Sequence, residues 1–251
     1  MTLSFSIITV CYNNGATIAD TLRSVAAQTW PHYEHIVVDG ASRDNTAEVV
    51  ASLAGPNTQF VSEPDRGIYD AMNKGCAHAK GDVICFLNAD DYYAGPDILE
   101  KVARLLEAEK LDAVLGDVSF FSPDTPEKVV RRYDSGQFSP ARLAYGWMPA
   151  HPGMFVRRAI YERVGPFRTD YRIAGDFEWI ARAFGDGKIS YRHLPEVMVR
   201  MRTGGTSTKG IGATILINRE ILRACAENGI ETNALRLSLK FPRKLLELLR
   251  R

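Results

Sequence analysis

An α/β fold, with a mostly parallel central sheet and helices on both faces, is predicted by three features of this 251-residue sequence. β-rich apolar runs alternate with stretches of helical spacing through the first half, which is the order of a parallel sheet covered on both sides. Two of the runs close on aspartates, Asp39 and Asp90, and ligands of such sheets bind beyond the carboxyl ends of the strands. Hydrophobic residues make up 45% and charged residues 24%, the balance of a soluble domain with a full core.

The elements follow in order. "SIITVC", Ser6 to Cys11, is the first strand. From about Ala16 the spacing becomes helical, with Ile18, Leu22 and Val25 on one face. "HIVVDG" is the second strand, and Ser42 or Asp44 caps the helix that carries Val49, Val50 and Leu53. "TQFVSE" is a short third strand. "GIYDAMNKGCAHAKG" reads as a helix stopped by Gly81 in a left-handed C-cap. "VICFL" is the fourth strand, and Pro96 sits at the first position of a helix with Ile98, Leu99, Val102, Leu105 and Leu106 inside. "DAVLGDVSFF" is the fifth strand. After about residue 122 the pattern weakens: "SPDTPEK" reads as a loop, "MFVRR" as a short strand and "GDFEWIARAFGDG" as a short helix. The last segment, "LRLSLKFPRKLLELLRR", is amphipathic and sets six Lys/Arg against one Glu. One domain over 1–215, divided into halves at 112/113, and a basic helical tail over 216–251 are the expected organisation.

The formal charge of +1 argues against a nucleic-acid binder that works through a large positive field. No apolar run reaches the ~20 residues that span a bilayer, and the N-terminus lacks a signal-peptide pattern. Cys11, Cys76, Cys85 and Cys225 show no CxxC spacing and read as reduced thiols of a cytoplasmic protein.

The P-loop and dinucleotide signatures, GxxxxGK[ST] and GxGxxG, are absent. The stretch "FLNADD" ends a buried strand on Asn88, Ala89, Asp90 and Asp91. Adjacent carboxylates there repel unless a cation sits between them, and Mg²⁺ or Mn²⁺ takes such oxygen ligands. A helix cap and a solvated aspartate would account for the pair equally well. Asp39 is either a turn residue before Gly40 or an acceptor for a nucleobase or ribose. "EPDRGIYDAMNKG" crowds Glu63, Asp65, Arg66, Asp70, Asn73 and Lys74 together, as a solvated face also does. Asp176 after Gly175 is an N-cap or a general base. His151, in a Pro/Gly-rich turn, reads as structural. "RTGGTS", Arg202 to Ser207, is a Gly-rich loop beside a cation, suited to closing over a diphosphate or lying on the surface.

In order along the chain, "SIITVCYNN" with "LRSVAAQTW", "HIVVDGASRDNT", "GIYDAMNKG…AKGDVICFLNADD" and "AGDFEW" resemble the motifs of glycosyltransferase family 2, whose members have the GT-A fold. The resemblance covers about residues 4–185 and is closest to enzymes of bacterial exopolysaccharide and O-antigen synthesis. It implies a nucleotide-sugar-binding half over 1–112 and an acceptor-binding half over 113–215. Thr9, Val10, Cys11, Tyr12 and Asn13 match the segment that cradles the nucleobase, and Asp39 the aspartate that contacts uridine. Asp65, Asp70 and Asn73 fall where the family completes the nucleotide pocket. Asn88-Ala89-Asp90 matches the DxD motif, with Asp91 the acidic residue that follows. Asp176 matches the catalytic base. Asn88 departs from the motif's first aspartate, so Asp90 and Asp91 are left to hold Mn²⁺ or Mg²⁺, and Asn88 to touch the nucleotide. Arg202 and the "GGTS" loop are expected to close over the diphosphate. QxxRW, the motif of processive members, is missing after Asp176.

The implied activity is inverting transfer of one sugar, from a UDP-linked donor to a glycan or lipid-linked acceptor. A non-catalytic nucleotide-sugar binder is the second reading. A nucleotidylyltransferase is the third, although "CYNNGATI" lacks that class's Arg-containing Gly-rich loop. The basic tail suits an anionic membrane at the cytoplasmic face, or packing against the domain or a second subunit of a homo-oligomer.

Overall fold

The structure, a computed structural model, describes residues 2–204 and 210–239. In chain order, β1 (Phe5–Cys11) is followed by α1 (Ile18–Ala26), β2 (Tyr33–Asp39), α2 (Thr46–Leu53), β3 (Thr58–Ser62) and α3 (Ile68–His78). Next come β4 (Val83–Phe86), β5 (Tyr92–Tyr93), α4 (Ile98–Glu109), β6 (Ala113–Ser122), β7 (Thr125–Tyr133) and β8 (Met154–Arg157). The remainder is α5 (Arg158–Val164), α6 (Gly175–Phe184), β9 (Tyr191–Arg202), α7 (Gly210–Glu227) and α8 (Ala234–Ser238).

One sheet runs in the order β3-β2-β1-β4-β8-β6-β9-β5, with β7 on β6. β3, β2, β1 and β4 pair in parallel, in a register that sets Cys11 beside Asp39 and Asp39 beside Ser62. β8 runs against both β4 and β6, so β6 and its parallel partner β9 share the direction of β1. The ends of β1, β2, β3, β4, β6 and β9 therefore lie on one rim.

β1 is buried along its whole length, and its side chains alternate between two cores. Ile8 and Val10 join Ile36, Ile84 and Phe86 beneath α3 and α6, while Phe5 and Ile7 join Val83, Cys85, Leu99 and Val102 on the α4 face. Ile18, Leu22, Val37 and Val50 complete that second face under α1 and α2. All four cysteines are free thiols.

Three expectations change, and the choice between Ser42 and Asp44 is decided. Helix α3 ends at His78 with Ala79 extended, and Gly81 is not its cap. A Cβ at Gly81 would stand 2.6 Å from the backbone of Phe5 and Ser6, so the glycine serves a close chain approach. Asp44, and not Ser42, meets the first turn of α2, accepting from the amide of Thr46 at 3.1 Å. Pro96 lies just outside α4, whose N-cap is Asp97. "SPDTPEK" is a hairpin whose second limb opens β7, because long-range pairing with β6 overrides its turn-like composition.

The tail begins as α7 at Gly210, so the division expected at 215/216 falls inside one helix, and that at 112/113 falls at the start of β6. Ile221, Ala224, Cys225 and Leu237 are buried in the core that holds α6. Leu235 and Leu239 are exposed. Residues 240–251, the basic part of the tail, lie outside the described residues, as do Gly205, Thr206 and Ser207 of the Gly-rich loop.

Candidate active site

The rim opens with Tyr12, 57% exposed, just past the end of β1. Asn13 takes a left-handed backbone (φ 55°), a conformation asparagine tolerates better than most residues. Its amide donates to Ser42 Oγ at 2.7 Å and its Oδ1 accepts from the amide of Arg43 at 2.9 Å, which joins the loops after β1 and β2. The Asp65 carboxylate occupies the space where a side chain at residue 40 would stand, and Tyr12 Cδ2 is 3.4 Å from the same point. Tyr12, Gly40 and Asp65, from three successive strand ends, thus form one flat-walled corner.

Asp39 is fully buried behind that corner. Its Oδ2 accepts from the Ser42 amide at 3.0 Å and Ser62 Oγ at 2.7 Å, and its Oδ1 from the Ser42 hydroxyl. Cys11 Sγ lies 3.6 Å from the same Oδ1, and burial with the nearby Asp39 charge pushes the thiol well up. The structure thus gives Asp39 the work of holding the loop. Thr9 and Val10 also turn inward: Thr9 Oγ1 pairs with His35 Nε2 at 2.9 Å, and Val10 is core. Strand alternation and the fully buried β1 turn both side chains inward, which leaves the backbone of this segment to meet a nucleobase.

Asp70 and Asn73, expected beside the nucleotide, both have partners within the chain. Asp70 accepts from the Arg66 amide at 3.1 Å and its guanidinium at 3.0 Å, which holds its carboxyl below the usual range. Asn73 Nδ2 donates to the carbonyl of Phe167 at 2.8 Å, while its Oδ1 accepts from the Phe167 amide at 2.8 Å. Both side chains are spent inside the chain.

The turn after β4 carries the acidic pair. Asp91 is 1% exposed and its Oδ1 accepts from the Arg202 amide at 3.3 Å. Thr21 Oγ1 donates to the Asp91 carbonyl at 2.7 Å, tying the turn to α1. Ala89 is buried under α1. Burial pushes both carboxyls up, and for Asp91 the neighbouring Asp90 charge adds to it. Arg202 pairs with Asp20 and lies 5.2 Å over the Phe121 ring. Asn88 Oδ1, Asp91 Oδ2 and Arg202 Nε are buried here without hydrogen-bond partners. Two bare acceptors and one bare donor at one spot are costly to bury. They match a cation held on oxygen and an anion held on N–H.

Asp176 stands in the first turn of α6, partly buried, with its Oδ1 accepting from the Phe177 amide at 2.8 Å. Burial, only partly offset by that bond, raises its carboxyl to about 6. Tyr69 of α3 sets its hydroxyl 2.5 Å from the Ile173 carbonyl and 3.4 Å from Asp176 Oδ1. Tyr69 stacks on Phe167, and Phe167 meets the Phe86 ring edge-on at 5.5 Å, two positions before Asn88. Asp176 and the acidic turn thereby share one aromatic wall at the end of β4. His151 is buried in that wall, 5.0 Å from Phe86, and burial lowers it to about 4, keeping it neutral.

Among the described residues, Asp117, Asp134 and His193 form a cluster with metal-ligand spacing. Arg132 already occupies Asp117 Oδ2 at 2.6 Å, and the Ser135 amide and His193 its Oδ1 at 2.9 and 2.7 Å. Those bonds describe an ion-pair network joining β6, β7 and β9. Residues the sequence reading missed are Thr21, Ser42 as a partner of Asp39, Ser62, Tyr69 and Glu220. Each acts through a partner distant in the chain, except Ser42, whose neighbourhood to Asp39 gave the only local signal.

The sequence profile of glycosyl transferase family 2 matches residues 6–165. A PGL/p-HBAD biosynthesis glycosyltransferase of Mycobacterium bovis (strain BCG / Pasteur 1173P2) is 32% identical over 224 residues, 87% of this chain and 82% of that protein. An uncharacterised glycosyltransferase of Mycobacterium tuberculosis is 36% identical over 183 residues, 71% of this chain and 68% of the other. Among solved structures, S. aureus TarS 1–349 in complex with UDP-GlcNAc superposes with a TM-score of 0.69 at 20% identity, covering 88% of this chain and 67% of that one. The longer TarS chain is spanned to 40% of its length. The mannosyltransferase PcManGT from Pyrobaculum calidifontis, in complex with GDP-Man and Mn²⁺, gives a TM-score of 0.66 at 22% identity, covering 93% and 66%. The structural likenesses establish the GT-A fold. With the profile over most of the motifs and relatives above 30% identity along most of their length, this chain belongs to glycosyl transferase family 2 and is a glycosyltransferase.

Proposed function

We propose that the enzyme is an inverting, non-processive glycosyltransferase. It moves a sugar from a nucleotide-diphosphate donor, most simply a UDP-sugar, to a hydroxyl of a glycan or lipid-linked acceptor in surface polysaccharide synthesis. The observation that carries this reading is the group of unpartnered buried atoms at the rim, Asn88 Oδ1, Asp91 Oδ2 and Arg202 Nε. A metal diphosphate presents both a cation and anionic oxygens, and so answers both kinds of orphan at once. Asp90 and Asp91 would hold Mn²⁺ or Mg²⁺, which when bound neutralises charge on the leaving diphosphate as a Lewis acid.

The chain's own groups divide the remaining work. Tyr12 offers its face to the nucleobase, with Gly40 and Asp65 at the edge. Arg202 donates to diphosphate oxygens. Asp176, raised to about 6, is ionised roughly ten to one at pH 7. It takes the proton of the acceptor hydroxyl as that oxygen bonds to the anomeric carbon, while the bond from that carbon to the diphosphate breaks on the opposite face. A base so placed contributes ~10²–10⁴-fold.

Incubation with UDP-, GDP- and dTDP-sugars, with Mn²⁺, Mg²⁺ or EDTA, tests the reading. Transfer with a UDP-sugar and a divalent ion, abolished in Asp176→Asn with donor affinity retained, is the expected result. Near wild-type transfer by Asp176→Asn would remove the assigned base.

Among the described residues no helix is long and apolar enough to cross a membrane. We assign the basic segment 240–251 to an anionic surface at the cytoplasmic face, where a lipid-linked acceptor would lie. Deleting 240–251 leaves the packed Leu237 in place and should abolish co-sedimentation with anionic liposomes. Unchanged sedimentation would leave the enzyme without that anchor.

A further inference from the structure

The turn that leads into Asp176 is held by one carboxylate from a helix far along the chain. Glu220 Oε1 accepts from the Arg172 amide at 2.7 Å, and its Oε2 from the amides of Ile173 and Ala174 at 2.9 and 2.8 Å. Glu220 is 7% exposed and lies on α7, beyond the residues matched by the family profile.

Three successive amides ahead of a helix need an acceptor, because the first turn offers none within the helix. Ala174, the N-cap of α6, has no side chain that can serve. Convergent backbone N–H groups of this kind make an anion-binding concavity, and Glu220 fills it with a charge from the chain itself. From the other side, the Tyr69 hydroxyl donates to the Ile173 carbonyl at 2.5 Å. Residues 172–174 are thus gripped between α3 and α7, two positions before the carboxylate that faces the acceptor.

Other contacts also dock α7. Arg223 pairs with Asp170, Arg168 bridges to Glu227 at 2.7 Å, and Ile221, Ala224 and Cys225 are core. Glu220 differs from these in that its bonds all fall on the approach to the base.

We propose that Glu220 is a positioning residue that sets the height and direction of Asp176 through the Arg172–Ala174 turn. The inference rests on reading Asp176 as the base. The titratable groups that face Asp176 are Tyr69 from α3 and Glu220 from α7, and the Glu220 charge adds to burial in raising its carboxyl. Removing that charge should therefore move the acidic limb of kcat to lower pH.

The test compares Glu220→Gln, Glu220→Asp and Asp176→Asn with the wild type. The readouts are kcat, donor KM, the pH profile and amide hydrogen exchange. In Glu220→Gln, kcat should fall by about tenfold to a hundredfold while donor KM stays within about twofold, since small misplacement of a reacting group costs rate. Amides 172–174 should exchange faster, and Glu220→Asp should recover part of the rate. A Glu220→Gln enzyme with wild-type kcat and an unmoved acidic limb overturns the proposal, as does unchanged exchange at 172–174. If Asp176→Asn still transfers sugar, the base assignment falls instead, and exchange at 172–174 still reports on the Glu220 grip.

Discussion

The backbone amide of Arg202 donates to Asp91 Oδ1 across 3.3 Å, so the end of β9 and the turn after β4 share one buried carboxylate. Asp91 carries the strain of that arrangement, with its second oxygen bare and Asp90 beside it. Asp91→Asn keeps an oxygen for the Arg202 amide and removes the like-charge repulsion. Without metal the variant should melt at or above the wild-type temperature, while transfer falls by more than about a hundredfold. Thermal shift with added Mn²⁺ checks the cause: a wild-type stabilisation by Mn²⁺ in the variant would contradict metal ligation by Asp91.

The carboxyl of Asp176, raised to about 6, predicts the acid side of the pH–rate profile. The base works ionised, so kcat should fall tenfold per unit as pH drops below about 6. Stability runs the other way. A folded value above the unfolded one stabilises at low pH and loses that contribution as pH rises through 6. Asp176→Asn should accordingly be more stable than wild type at pH 7 and show no such advantage at pH 4. Denaturant melts at the two pH values decide it, and equal differences at both would refute the raised carboxyl.

Asn73 grips the backbone of Phe167 by two bonds of 2.8 Å. Truncation to Ala leaves a buried amide and carbonyl bare, which should cost roughly 2–4 kcal/mol. Affinity for UDP, measured by calorimetry, should be unchanged. Weaker UDP binding without loss of stability would restore Asn73 to the nucleotide pocket.

His35 and His151 are buried neutral, lowered to about 3 and about 4. The unfolded chain binds a proton at each near 6.5, so folded stability should decline as pH falls from about 6.5 toward 4. His151→Phe fits the aromatic wall of Phe86 and Phe167 and removes one of those protons. Its stability should vary less steeply than wild type over that window. An identical slope would mean that His151 is protonated in the fold.

Much of the fold was legible locally. The run "SIITVC" stands as the body of β1, and the helical spacing of Ile18, Leu22 and Val25 survives in α1. The hairpin at "SPDTPEK" was not legible, since its strand exists only by pairing with β6. In the site, the acidic turn and Asp176 stood out by motif. Asp70 and Asn73 belonged to the same motif, but their partners, Arg66 and Phe167, were not legible locally.

The sequence by itself determined the alternating elements, the rim on which Asp39 and Asp90 lie, and the family. Those follow from periodicity and ordered motifs, which are properties of neighbouring residues. Only the tertiary structure decided which polar atoms are satisfied. Asp39 is filled by Ser42 and Ser62, Asn73 by Phe167, and the turn before Asp176 by Glu220, whereas Asp91, Asn88 and Arg202 keep bare atoms. A hydrogen bond depends on where two distant segments meet, which is a property of the folded chain and not of neighbouring residues, and a buried polar atom left without one is costly.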